Sequence, residues 1–540
     1  MAWSALGDCA WLFEAAGTDP RERLARVLEL AERLWELRIP EVHDVVTSFE
    51  TLAVHFDPTD GERVMRWLQS VAPPSVGADA TTGRVIEVPV EYGGACGPDL
   101  ADVAASLAIA PEELVRLHSD AEYTVAALGF SPGFPYLMGL PQPLELPRRT
   151  TPRPVAAGSV AIAGTQAGIY PCASQGGWHV IGRTPVNLFD PDSPSPSLLK
   201  TGDRVRFISR SYDKPASPAN GVSATTLTGG LEVLDAGGFT TVQDTGRPGY
   251  QHLGVSPGGA TDPVMAAVVN RLVGNPDEAA VLECAMRGPV LRFHETSRVA
   301  WLGWNDDKAG RPVDLQAGEE IDFRRRTSAL RGYLAVAGGI DVPRVLGSRA
   351  TDVRAGFGGL HGRVLRSGDR LPVGRPPAGP HAGDWRVNWP QALPADDLLD
   401  LRFLPGAQHS WFTEETRRAF RGSIYQVSSM SDRMGVRLDG TALERDETAE
   451  MLSQPVVTGS VQVPPDGRPI VLMAERQSIG GYPQIAHVIS ADVPKLARAW
   501  PGTRLRFREV TLDEAREAWR AHQRDLALMR TGLALTTESS

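Results

Sequence analysis

Gly129 to Thr184 carries the pattern that decides the fold: GFSPGFPYLMGLP (129–141), PRRTTPRPVAAGSVAIAGTQAGIYP (147–171) and QGGWHVIGRTP (175–185). Glycines and prolines recur every few residues, so turns and special backbone conformations dominate this stretch. Between the turns stand Phe130, Phe134, Tyr136, Arg149, Arg153, Tyr170, Trp178, His179 and Arg183. Rigid loops decorated with rings and charges read as the wall of a pocket. From Tyr123 to Ser209 the strands are short and separated by Gly/Pro turns, which predicts a β-barrel or sandwich.

Working outward, residues 1–80 form a small α+β domain. Arg21 to Arg38 has the apolar spacing of an amphipathic helix, Glu41 to Phe56 alternates as paired strands, and Gly61 to Ser70 is a second helix. Residues 84–212 form the barrel unit, with short helices at Pro98–Leu107 and Pro111–His118, each opened by proline. The run 213–228, rich in Pro, Ala, Ser and Thr, is a linker. A second unit follows, with one β-rich half over 229–373 and another over 385–510. Residues 511–540 are a polar helix from Thr511 to Arg530 and a frayed tail. The expected class is α+β, mostly β.

Composition excludes several functions. At 540 residues with 42% hydrophobic and 22% charged content, the chain reads as a multidomain soluble protein. A net charge of −10 without basic runs argues against nucleic acid or an anionic membrane as partner. Cys9, Cys96, Cys172 and Cys284 are scattered and form no CxxC, so they read as reduced, cytoplasmic thiols and not as a zinc site. Lysine occurs only at 200, 214, 308 and 495. None follows glycine, so there is no P-loop. None neighbours methionine, so the usual biotin-attachment motif is absent as well.

Several residues carry candidate chemistry. Phe134 and Tyr136 either face a ligand or fill a strand corner; both readings stand. Arg149 and Arg153, flanking two threonines, could grip a carboxylate or phosphate. His118 and His179 could move protons at neutral pH, although a lone histidine is more often structural. No His/Cys set has ligand spacing, and no metal is expected. In the second unit Asp244, Arg247, Arg433 and Arg476 lie beside glycines, while Asp262 reads first as a helix cap.

The motifs LHSDAEYTVAALGFSPGFPYLMGL, TPRPVAAGSVAIAGTQAGIYP and GGWHVIGRTP make residues 1–210 resemble the B component of bacterial ATP-dependent 5-oxoprolinase, the sporulation-kinase inhibitor family. TVQDTGRPGYQHLGV, YLAVAGGIDVPRVLGSRAT, SDRMGVRLDG and ERQSIGGYPQIA make 229–510 resemble the C component. The same two modules, in the other order, occur in the carboxyltransferase region of urea carboxylase. The resemblance implies a B–C fusion with cyclophilin-like barrels. It implies an ATP-dependent amidohydrolase that opens a small lactam, 5-oxoproline to glutamate, with a separate A-type subunit. The candidate catalytic residues are His118, Arg149, Arg153 and His179, and the candidate substrate-binding residues are Phe134, Tyr136, Gln166, Tyr170, Trp178, Asp244, Arg247, Arg433, Arg476 and Tyr482. Two alternatives are a carboxyltransferase-like module served by biotin on another protein, and a non-enzymatic histidine-kinase regulator. A homo-oligomer is compatible with the sequence. Gln175 and Ala156 stand where the family usually has proline.

Overall fold

The structure, a computed structural model, describes residues 3–73, 83–211, 230–324, 329–377, 386–387, 398–445 and 451–538. The expected linker at 213–228 lies outside the described residues.

In the first barrel, strand Val85–Tyr92 pairs in parallel with Arg204–Ser209, and the other pairs of the ring are antiparallel. From Val85–Tyr92 the order runs His179–Arg183, Ser159–Ala163, Gln166–Ile169, Pro135–Met138, Glu122–Leu128 and Arg204–Ser209, which returns to the start. This seven-stranded ring is a closed barrel. Closure leaves no free sheet edge. The alternation of strand side chains explains why Ser159–Ala163 is buried along its whole length. Val160 and Ile162 point into the barrel with Val88, Leu137 and Phe207, whereas Ala161 and Ala163 point outward into a second apolar cluster.

A second closed barrel has the same plan. Leu399–Pro405 pairs in parallel with Arg504–Glu509. The ring continues through Gln484–Val488, Ser460–Gln462, Ile470–Leu472, Gly435–Asp439 and Tyr425–Val427. Numbered along its own chain, each barrel has the order 1-6-4-5-3-2-7. Each also carries a two-stranded strap: Arg153–Val155 with Ser174–Gly176, and Gln454–Pro455 with Ile479–Gly480. The strap sequences match in register, Arg153-Pro-Val-Ala-Ala-Gly-Ser-Val against Gln454-Pro-Val-Val-Thr-Gly-Ser-Val. The second barrel is a structural repeat of the first.

The N-terminal strands Trp3–Ala5, Ala10–Glu14, Thr51–Phe56 and Val42–Ser48 extend the first barrel's sheet through the pairing of Ser48 with Ala127. Helix Pro20–Glu36 covers them, with Leu24, Val27, Leu30 and Leu34 buried. Residues 230–377 form a four-stranded and a five-stranded sheet over a core containing Trp301, Trp304 and Phe323. Asp262 caps helix Pro263–Leu272, accepting from the Met265 amide at 3.1 Å. The last helix runs Leu512–Glu538, past Arg530, and Trp519 donates to Asp57 at 3.0 Å. Among the described residues no helix is long and apolar enough to cross a membrane, and no group of three or more His, Cys, Asp or Glu side chains could hold a metal.

Candidate active site between the two barrels

The outer face of the first barrel carries a basket of rings. Phe134 lies at its centre, with ring centroids 4.9 Å from Tyr136, 5.1 Å from Tyr170, 5.3 Å from Phe130 and 5.8 Å from Trp178. The loop 129–134 sets this up by tight turns, with Phe130 at φ 64°, a left-handed conformation costly to a non-glycine residue. Gly176 lets the Tyr170 ring close over the strap, because a Cβ there would lie 2.4 Å from the Tyr170 hydroxyl. Gly129 lets the second barrel approach: its Cβ would lie 2.1 Å from Ile479.

The second unit completes the basket. Ile479 and Leu452 pack with the rings, and the Tyr136 hydroxyl is hydrogen-bonded to Ser453. Ser48 in turn donates to the Ser453 carbonyl. The Arg354 guanidinium stacks 4.5 Å over Phe130, and Arg148 lies against Gly481 with its charge felt by Tyr136 and Tyr170. Burial pushes both phenols above their ordinary range, so they stay neutral hydrogen-bond donors. Gln166 shares the outward strand face with Gly168 and Tyr170, and its buried Oε1 has no partner among the described residues. The result is a cluster of edge-on rings with two guanidiniums at the rim and an unsatisfied amide on the same strand face.

Behind the strap lies a cleft of about 230 Å³ lined by Ala95, Cys96, Arg153, Ala156, Ser159 and Arg183. Val155 and Val180 line it too and belong to the basket's apolar cluster, so the cleft and the basket share a wall. Asp99 organises this side. Its buried carboxylate takes Arg149 at 3.1 Å, Arg153, and the Val180 amide at 2.7 Å. It stands at the N-cap position of helix Leu100–Ser106 yet makes no side-chain cap bond. The helix therefore opens after Pro98, at Leu100.

The other expected site residues are placed as follows. His118 is sealed in the first barrel, stacked 4.6 Å from Phe207 and bonded to the Tyr92 hydroxyl at 2.8 Å; burial pushes its pKa down to about 3. His179 lies near the strap and bonds the Pro147 carbonyl at 3.0 Å. Asp244 accepts from Ser348, the Arg349 amide and the Gly246 amide within 2.8 Å, fixing a loop. Arg247 is buried against Phe357 at 5.0 Å, behind the Asp352–Phe357 turn that presents Arg354. Arg433 binds Glu475 at 2.6 Å, Glu283, Thr261 and the Gly259 carbonyl, joining the second barrel to the 230–377 sheets. Arg476 binds Gln251 and Thr458. The neighbouring 3₁₀ turn is held by Asp44, through the Gln251 amide at 2.6 Å and His252 at 2.9 Å. Tyr482, 41% exposed, stands on the second barrel where Trp178 stands on the first. The basket thus gathers Phe134, Tyr136, Gln166, Tyr170 and Trp178; Arg149 and Arg153 adjoin it, and the remaining residues lie elsewhere.

Asp99, Arg148, Arg354 and Ser453 escaped the sequence reading, whereas Arg183 stood among the residues of the expected pocket wall. A comparison of the chain with itself would have paired Arg153 with Gln454 and drawn attention to both straps.

Two barrels of one plan meet across a ring-lined seam, and both modules match carboxyltransferase-domain families. Residues 1–199 match the family described as carboxyltransferase domain, subdomain C and D, and residues 253–509 match subdomain A and B. The 5-oxoprolinase C component of Escherichia coli K12 is 40% identical over 305 residues, covering 54% of this chain and 96% of that protein. The 5-oxoprolinase B component of Escherichia coli O157:H7 is 44% identical over 190 residues, covering 34% of this chain and 84% of that protein. The crystal structure of TTHA0988 superposes with a TM-score of 0.81 at 35% identity, covering 92% of this chain and 99% of that one. The chain belongs to the family of the 5-oxoprolinase B and C components, with both modules on one polypeptide.

Proposed function

We propose that this chain is the fused B–C component of an ATP-dependent 5-oxoprolinase, an amidohydrolase that works with a separate A-type subunit. The reading is supported by family membership and by one observation above all: the basket draws its floor from the B-like module and its Arg354, Ser453 and Ile479 from the C-like module. Neither module alone holds the site, which gives the fusion a chemical purpose.

The net reaction is 5-oxoproline + ATP + 2 H₂O → glutamate + ADP + phosphate. ATP supplies a leaving group on the lactam oxygen, without which an amide carbon is a poor electrophile. The chain's own residues hold and polarise the substrate. A five-membered lactam packs against the rim of the ring cluster. Its carboxylate pairs with Arg148 or Arg354. Tyr136 and Tyr170, kept neutral by burial, donate to the lactam oxygen as charge develops there. Gln166 Oε1 accepts from the ring N–H. Enclosure by Ile479 and Leu452 excludes bulk water until the ring is committed.

The test is glutamate and ADP formation from 5-oxoproline and ATP by the purified chain together with an A-type subunit. Arg354→Ala is expected to raise KM more than it lowers kcat if it binds the carboxylate. Absence of turnover, with activity instead on a carboxybiotin donor and urea, would overturn the assignment.

A further inference from the structure

The cleft behind the strap is set apart from the basket by its charge. Arg153 and Arg183 reach it from different strands, and Arg149 stands beside Arg153 on the same carboxylate. Against these three cations stand two anions, Asp99 and Glu91; the latter accepts from the Cys96 thiol at 3.4 Å. One positive charge is left over. Arg183 spends its Nε on the Ala157 carbonyl at 3.0 Å, and its terminal nitrogens have no acceptor among the described residues. The Ala95 amide, on the cleft wall between left-handed Gly94 and Cys96, likewise donates to nothing among the described residues.

We propose that this cleft is a phosphate-binding site that takes the phosphate tail of the nucleotide. The nucleotide as the source rests on the ATP-dependent reading above; the phosphate chemistry does not. A dianionic tetrahedral group has oxygens in enough directions to bridge two guanidiniums on separate strands and an amide N–H. The one planar carboxylate present, Asp99, is already committed to Arg149, Arg153 and the Val180 amide, so the leftover positive charge and the open donors of Arg183 and Ala95 call for a further anion. The site works without a P-loop lysine because arginine and a backbone amide replace the ammonium and glycine-loop amides. Val155 and Val180, shared by cleft and basket, place a bound phosphate across one strap layer from the ring pocket.

Cys96, on the cleft wall, is a built-in reporter. Alkylation of the full-length chain by iodoacetamide is followed at Cys96 by peptide mass spectrometry, with the same chain alkylated without ligand as the reference. Pyrophosphate or ATP at ten times its dissociation constant is expected to slow Cys96 roughly tenfold. 5-Oxoproline is expected to leave Cys96 unchanged. Arg183→Ala should remove the protection. Ala156→Glu, an exposed change at the cleft wall that threatens no core packing, should remove it too. An unslowed Cys96 at millimolar pyrophosphate and ATP overturns the proposal, as does protection by 5-oxoproline alone or protection that survives both variants. Protection by pyrophosphate but not ATP keeps the phosphate site and overturns the nucleotide as its source. Glutamate formation is not read, so failure of the lactam assignment leaves this result standing.

Discussion

The two barrels share a topology but not a chemistry, and the strap shows where they part. In the first, Asp99 holds Arg153 and the Val180 amide. In the second, Gln408 holds Gln454 at 2.7 Å and the Gln484 amide at 3.1 Å. The geometry is kept while a charged pair becomes a neutral amide pair. The rings change in parallel: by strand register Tyr136 is matched by Arg437, and Trp178 by Tyr482. One barrel presents a charged, aromatic wall, and the other presents the apolar lid that covers it. Duplication of a fold thus supplies both sides of one site.

The largest difference is expected at the matched rings. Trp178→Ala should cost about 3–5 kcal/mol and abolish turnover, because a buried ring is removed from the basket. Tyr482→Ala, at an exposed ring, should cost no more than about 0.5 kcal/mol. Urea denaturation of both variants checks this, and equal losses would break the asymmetry. Next comes the seam. Gly129→Val drives a side chain into Ile479 and should cost about 1–3 kcal/mol with loss of activity. Ser429→Val, at an exposed position of the corresponding loop in the second barrel, should be near neutral. A tolerated Gly129→Val would mean that the barrels do not meet there.

The strap pairs give a finer contrast. Asp99→Asn removes the shared carboxylate from two guanidiniums that are about one-third exposed, so a loss of about 2 kcal/mol is expected, less than for a fully buried ion pair. High salt should shrink this difference. Gln408→Ala should cost about 1–2 kcal/mol with no dependence on salt. Salt dependence at Gln408 would refute the charge argument.

The smallest effect is a pH slope common to both barrels. His118 and His487 are each pushed down by burial to about 3. Unfolded, each titrates near the ordinary value of about 6.5. Below that pH the unfolded chain binds protons that the native chain refuses. The stabilisation is therefore complete above about pH 6.5 and declines as pH falls toward the native value, by about 1.4 kcal/mol per pH unit for each histidine. His118→Gln and His487→Gln should each flatten the fall in urea midpoint between pH 7 and pH 5 by one such share. An unchanged slope would mean that the ring is protonated in the native barrel.

Local sequence spoke clearly about local structure. Helix Gly61–Ser70 and the strand pair ending at Phe56 follow directly from apolar spacing and turn residues. The rings of the basket stood out because they interrupt Gly/Pro turns. The rest depended on partners far along the chain. Asp99 reads locally as the start of a helix, and only residues 149–180 reveal it as the anchor of two arginines. Arg354 sits in an ordinary surface turn, and nothing near it in sequence announces Phe130. His118 has the residue type of a proton carrier, but the barrel closing around Phe207 gives it a dry, neutral place. Periodicity reports faces; it does not report which faces meet.

The bonds from Ser48 to Ser453 and from Asp8 to Ser490 span 405 and 482 residues. Contacts of such sequence separation form late, because the intervening chain must first lose its loop entropy. During synthesis the N-terminal module and the first barrel can fold with the ring basket still open to water. The lid strands at 452–481 emerge hundreds of residues later. A ribosome-bound or truncated chain therefore exposes a sticky aromatic face that the finished molecule conceals. Chaperone dependence should be concentrated in that interval of translation.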